Sequence, residues 1–237
     1  MTRTRPGQDR SAEPQALHQR VYETLRQKLQ QGDFHAGETL TLGALSEAMG
    51  TSHMPVREAV RRLVAEKAIT QSSNRAFTVP LLSPDELNEL VELRLYLETF
   101  AARSACGRID ADSLRSLMAL NGRMRAQLEE HDKRGALQSN QAFHFTLYRA
   151  GASTVLMDMI ELLWLRCGPY LAAALFAFSG GERHFGVATE LHEEIIRGLL
   201  NENADRVSRA LTADLQKTAD WYRTQSSGAV GAALAGD

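Results

Sequence analysis

The sequence predicts a mainly α protein in two parts. A small unit of three helices and a β-hairpin comes first, and an all-α six-helix bundle follows. Three observations predict it. Apolar residues recur at helical spacing through most of the chain. One stretch, "AITQSSNRAFTV", reads instead as two short strands about a polar turn. Charge also changes sign along the chain. Residues 1–80 carry 11 Lys and Arg against 8 Asp and Glu, whereas residues 81–237 carry 16 against 21. A mildly basic first part joined to an acidic second part points to two jobs.

The elements follow in order. Residues 1–15 are polar, contain two Pro and are expected to form a disordered arm. Leu17, Val21, Leu25 and Leu29 recur every fourth residue and give the first helix, which Gly32 ends. Leu42, Leu45 and Met49 mark a short second helix closed by Gly50. After a four-residue turn at 50–53, Val56, Ala59, Val60, Leu63 and Val64 form the apolar stripe of a third. The hairpin turns at Ser72–Arg75 and completes a first domain over 16–80.

The division falls in "VPLLSPDEL", where Ser83, Pro84 and Glu86 make a helix start. Six helices are expected beyond it, at roughly 84–106, 110–131, 134–150, 153–179, 183–201 and 203–224. They form a second domain over 81–225, and the Gly/Ala/Ser-rich stretch 226–237 is expected to be a flexible tail. No apolar run reaches the roughly 18 residues of a membrane span. The N-terminus has Arg but no apolar core, so no secretory signal is read. Cys106 and Cys167 lack CxxC spacing, which fits a reduced, cytoplasmic protein.

Two short helices, a tight turn and a trailing hairpin have the plan of a winged helix-turn-helix. The stretch "SHMPVREAVRRL" suits a recognition helix. Ser52 can cap it by accepting a backbone N–H. Pro55 is tolerated in the first turn, and the free N-terminal end favours phosphate. Arg57 lies one turn in, within reach of a base edge, and a bidentate Arg–guanine pair is the commonest specific contact. Arg61 continues that face, and Arg75 at the hairpin tip can reach phosphate or the minor groove. The alternative for Arg57, Arg61 and Arg62 taken alone is the solvated face of an amphipathic helix.

With "EKAI" and "NRAFTV" after it, this segment resembles the DNA-binding half of the GntR family of bacterial transcription regulators over residues 16–80. The resemblance implies that Ser52, His53, Met54 and Arg57 face DNA. Three positions depart from the family pattern and bear on the operator sequence. His53 replaces an Arg, Ala76 stands where a wing Gly is usual, and Gly43 sits where some relatives carry a DNA-contacting Arg.

The bundle carries one informative constellation. Asn140 and His144 are four apart, hence on one helical face. His192 and Asp214 lie on two later helices. Four N/O donors from three helices can converge on one divalent metal. Residues 84–224 also resemble the all-helical ligand domain of the FadR subgroup of GntR regulators. Its metal pattern is Asp-x-x-x-His on one helix and a His on each of two later helices. His144 and His192 match, Asn140 replaces the Asp, and Asp214 takes the place of the last His. Zinc, nickel and manganese remain open for this oxygen-rich set, and so does a metal-free site that holds its ligand by hydrogen bonds. The resemblance also assigns Arg94 to the pocket, where a guanidinium beside a metal suits a small carboxylate. A surface pair between Arg94 and Glu98 is the alternative. Tyr148, one turn beyond His144, is expected to line the same cavity, whereas Trp164 and Trp221 are read as core or interface.

Together these readings imply a transcription regulator, a repressor released by a small carboxylate effector. Because one module reaches only a short half-site, a homodimer on a palindromic double-stranded DNA operator is expected. Two rivals stay open: a metal-dependent enzyme with an accessory DNA-binding module, and a DNA-binding regulator with a vestigial, metal-free bundle.

Overall fold

The computed structural model describes residues 12–72, 76–176 and 181–234. The first unit contains α1 (Ala12–Gln30), β1 (Thr39–Leu40), α2 (Leu42–Met49), α3 (His53–Ala65), β2 (Thr70–Gln71) and β3 (Phe77–Thr78). Thr41 caps α2 by accepting the Ala44 N–H, and Gly50 closes it in the left-handed conformation at φ 59°. Helix α3 starts at His53, so the turn is one residue shorter than expected. Ser52 occupies the N-cap position, but its side chain makes no capping hydrogen bond. That corrects the capping role read from the sequence, and it leaves the first-turn N–H groups of α3 without that partner.

The wing is a three-stranded antiparallel sheet in the order β1-β3-β2, with Leu40 and Gln71 both opposite Phe77. The hairpin is therefore joined by a third strand. Residues 39 and 40 are too few to show a period of two. The wing tip, including Arg75, lies outside the described residues. Val21, Leu25 and Leu29 of α1 pack with Leu45, Val56, Val60, Leu63, Ile69, Phe77 and Val79 to close the core of this unit.

The bundle contains α4 (Pro84–Ala105), α5 (Ala111–Glu129), α6 (Lys133–Gly151), α7 (Thr154–Phe176), α8 (Gly181–Leu200) and α9 (Ala204–Leu234). A capping box starts α4, with Ser83 Oγ accepting from Glu86 N at 3.2 Å and Glu86 Oε2 accepting from Ser83 N at 2.8 Å. Phe143, Tyr148, Ile160, Trp164, Ile195, Leu199 and Leu211 lie at its centre. Two ends differ from expectation. Helix α1 begins at Ala12, inside the stretch read as a disordered arm, where Pro14 falls in the first turn and is tolerated there. Helix α9 runs to Leu234, through the stretch read as a flexible tail; its Ala residues favour helix.

Helix α7 joins the two halves. Leu165 belongs to the first core, whereas its neighbour Trp164 belongs to the bundle core. At Gly168 the helix comes so near α1 that a Cβ would stand 2.5 Å from Gln30 Cα and 2.6 Å from the Leu29 carbonyl oxygen. Polar contacts flank this approach: Arg26 to Glu161 at 2.8 Å, Gln141 to Gln30 at 3.0 Å, and Gln138 to Gln31 at 3.2 Å. Asp33 is held by Lys28 and Arg134. The connecting segment is pinned as well. Tyr170 Oη accepts the Leu82 N–H at 2.5 Å and donates to the Pro80 carbonyl at 3.0 Å.

Gly168→Ala is expected to force α1 and α7 apart and to lower unfolding stability by about 1–3 kcal/mol, the usual cost of overpacking. A chemical denaturation midpoint equal to that of the unsubstituted protein would show that the two backbones do not depend on this contact.

Candidate metal centre and nucleic-acid face

Five helices of the bundle carry polar side chains inward to one point. His144 of α6, His192 of α8 and Asp214 of α9 are all buried, and their ligand atoms lie within 4.8 Å of one another. His144 Nε2 is 3.2 Å from Asp214 Oδ2, His192 Nε2 is 3.9 Å from the same oxygen, and the two Nε2 atoms are 3.4 Å apart. Arg94 of α4 and Asn140 of α6 line the cavity around this group, together with Trp164 of α7.

Hydrogen bonding fixes how the imidazoles present themselves. Tyr148 Oη donates its one proton to Glu98 Oε2 at 2.5 Å. It therefore accepts from His144 Nδ1, 2.9 Å away. Asn121 Nδ2 donates to the Thr189 carbonyl at 3.0 Å, which turns Asn121 Oδ1 to accept from His192 Nδ1 at 3.1 Å. Both rings then carry hydrogen on Nδ1, and each Nε2 lone pair faces the other and the Asp214 carboxylate. Three acceptors meet with no donor among them. A cation, an added proton on an imidazole or a donating water would satisfy the arrangement. Burial holds His192 down to about 3, against the opposing pull of Asp214, so that ring is neutral as ligation requires. Two imidazoles oriented by outer partners and one buried carboxylate fit a divalent ion. The cavity leaves about 20 Å³ to a water-sized probe, enough for an ion or a water.

The other expected residues fall as follows. Arg94 lines the cavity and also pairs with Glu98 through Nε–Oε1 at 2.6 Å and Nη2–Oε2 at 3.3 Å. That pair is buried and not a surface pair; its members are 6% and 0% exposed. Tyr148 stands behind His144, between it and Glu98, rather than among the lining residues. Trp164, read as core or interface, is core and also lines the cavity. Trp221 is half-buried and stacks on His184 at 5.2 Å. Asn121 was not singled out in the sequence, and Glu98 was read only as a surface partner of Arg94. Their signal is phase. Asn121 shares a face of α5 with buried Leu117 and Met124, and Glu98 shares one of α4 with Leu90 and Ala101.

Glu193 and Glu194, which follow His192, are engaged at the surface by Arg125, Arg197 and Arg206.

On the first unit, Ser52, His53, Met54, Arg57 and Arg61 are all exposed at the start and along one side of α3. Arg57 and Arg61 line a depression with Leu42, Gln71 and Phe77, between α3 and the sheet. Arg61 pairs with Glu58 at 3.0 Å. Arg62 turns the other way, over the Tyr22 ring at 3.6 Å and onto Gln19 and Glu66, and ties α3 to α1.

A winged helix-turn-helix joined to a helical bundle defines a two-domain DNA-binding regulator. Residues 17–79 match the model of the bacterial regulatory proteins, gntR family, and residues 89–217 match the FCD domain. The chain belongs to the GntR family of transcription regulators and carries an FCD domain. It is similar to the HTH-type transcriptional regulator McbR of Escherichia coli (strain K12), 32% identical over 156 residues that make up 66% of this chain and 71% of that one. The gluconate operon transcriptional repressor of Bacillus subtilis (strain 168) is 26% identical over 153 residues, 64% of this chain and 60% of that one. Among solved structures, that of E. coli McbR/YncC superposes with a TM-score of 0.83 at 27% identity, covering 89% of this chain and 98% of that chain. A GntR regulator structure from Rhodococcus sp. RHA1 shares the fold, with a TM-score of 0.74 at 18% identity over 88% and 98% of the two chains. Among the described residues no helix is long and apolar enough to cross a membrane.

Proposed function

We propose that this regulator is a repressor released from its operator by a small carboxylate, which binds beside a divalent ion held by Asn140, His144, His192 and Asp214. The convergence of three unprotonated acceptors next to Arg94 carries this reading. A zinc, nickel or manganese ion there would supply the missing positive charge and positions open to a carboxylate oxygen. Arg94 would grip the same carboxylate. Likeness to a named repressor supports the sign of the response. His144→Ala and His192→Ala are each expected to lose the metal, read by elemental analysis of metal per chain, and to abolish stabilisation by added metal. A wild-type protein that holds no zinc, nickel or manganese yet leaves its operator when a carboxylate is added would overturn the metal reading.

In this reading Ser52, His53, Met54, Arg57 and Arg61 meet the operator, with Arg75 at the wing tip. The exposure of the first five and the separate engagement of Arg62 support the assignment. Arg57→Ala is expected to cost about 1–3 kcal/mol of operator binding and to relax one base preference. Footprints of unchanged affinity and sequence preference would remove Arg57 from the interface.

The regulator acts as a homodimer on a palindromic site. Two apolar stripes support this: Leu93, Tyr96 and Phe100 on α4, and Val155, Met159 and Leu162 on α7, all exposed. Their spacing puts each set on one helical side, and exposed apolar patches of this kind mark interfaces. Light scattering should give twice the chain mass at micromolar concentration, and Tyr96→Asp with Phe100→Asp should halve it. A monomeric wild type, with and without operator, would refute the dimer.

A further inference from the structure

A second space abuts the polar cavity. It lies between α4, α7 and α9 and is lined by Leu87, Val91, Cys167, Leu215, Ala219 and Tyr222. It shares Arg94, Leu171, Leu215 and Thr218 with the cavity that holds the donor cluster. It is small, about 30 Å³. Arg94 stands on the common wall, its guanidinium 4.7 Å over the Trp164 ring. Trp164 is 1% exposed, and its indole Nε1–H has no hydrogen-bond partner. A buried donor without an acceptor is costly, and this one belongs to a side chain that lines the polar cavity. It calls for an acceptor brought in from outside.

Charge narrows the class. Metal ligation requires neutral imidazoles. With a divalent ion in place, the carboxylates of Asp214 and Glu98 and the guanidinium of Arg94 leave this buried group one net positive charge. One carboxylate neutralises it, whereas a second would be buried without a partner.

We infer that the effector is a short straight-chain aliphatic monocarboxylate: its carboxylate takes the Trp164 indole N–H and Arg94, and its alkyl tail fills the apolar space lined by Leu87, Val91, Cys167, Leu215, Ala219 and Tyr222. The inference rests on the carboxylate reading above and adds to it the ligand's charge, its tail and Trp164. A dicarboxylate puts its second charge among these apolar side chains.

The test is calorimetric titration of the zinc-loaded full chain with acetate, propionate, butyrate, hexanoate, benzoate and succinate. Affinity is expected to rise about fourfold per methylene over the first members of the series. Succinate should bind at least about tenfold more weakly than butyrate. Trp164→Phe should weaken every monocarboxylate by about tenfold, the loss of one hydrogen bond to a charged group. Ala219→Leu should flatten the rise with chain length, and Leu87→Ala should move the best length to a longer chain. Affinity that does not change from acetate to hexanoate, or succinate binding as tightly as butyrate, overturns the tail subsite and leaves the metal and carboxylate reading intact. Zinc-loaded protein that binds none of the six overturns the carboxylate reading itself. Should the chain hold no zinc, the metal reading falls, and the same series on the metal-free chain then decides the tail subsite by the presence or absence of the chain-length gain.

Discussion

Helix α7 has to satisfy two cores at once, and the rest of the structure is arranged around that constraint. Leu165 closes the core of the DNA-binding unit, and Trp164, one residue earlier, points into the bundle. Successive residues of a helix lie about 100° apart, so a single helix can serve two cores only if it sits between them. Gly168 makes the position possible, because a side chain there would run into the α1 backbone. Pro169 follows at once and withholds a backbone donor. The contact between the halves is therefore a close backbone approach, ringed by glutamines and ion pairs, rather than a flexible tether.

The interior of the bundle is unusually polar for a helical core, and it is stable because it is connected. Asn121 holds His192, Tyr148 links His144 to Glu98, and Glu98 holds Arg94. Every outer member of that chain finds a partner. The deficit is concentrated at the centre, where the two Nε2 atoms and Asp214 face one another, and at the Trp164 N–H. A network satisfied at its edges and unsatisfied in its middle is costly without a ligand. The unmet hydrogen-bonding and charge demands are gathered at one buried point.

The sequence was most legible where local chemistry repeats a rule. The capping box at Ser83 and Glu86, the left-handed Gly50 and the apolar stripes placed the helix-turn-helix and six bundle helices close to where they lie. His144, His192 and Asp214 were legible as a group because the family resemblance picks them out of three helices, and Arg94 for the same reason. Asn121 was not, nor was the bond of Glu98 to Tyr148 or the place of Trp164 on the cavity wall. Each reads as an ordinary helical residue, and only long-range packing brings Asn121 to His192, 71 positions away, or Glu98 to Tyr148, 50 positions away. The strand at Thr39–Leu40 escaped for a related reason: its pairing with β3 is a tertiary contact with almost no local signature. Ser52 shows the reverse error, in which a residue of the right type at the N-cap position makes no capping bond.

Both cavities are lined in part by α7, the helix that also packs against the first unit. Trp164 and Leu171 line the polar cavity, Cys167, Tyr170 and Leu171 line the apolar one, and all four belong to α7. The hydroxyl of Tyr170 holds the segment between Pro80 and Leu82 that leads out of the wing. A ligand changes the balance between two arrangements only through contacts that differ between them. The contacts positioned to differ here are few: the seat of α7 on α1 at Gly168, and the grip of Tyr170 on the connecting segment. A shift of α7 that accommodates a ligand must be absorbed at one or both, because close-packed interiors do not deform continuously. The same packing that lets one helix close two cores thus ties the bundle to α1, against which α3 packs.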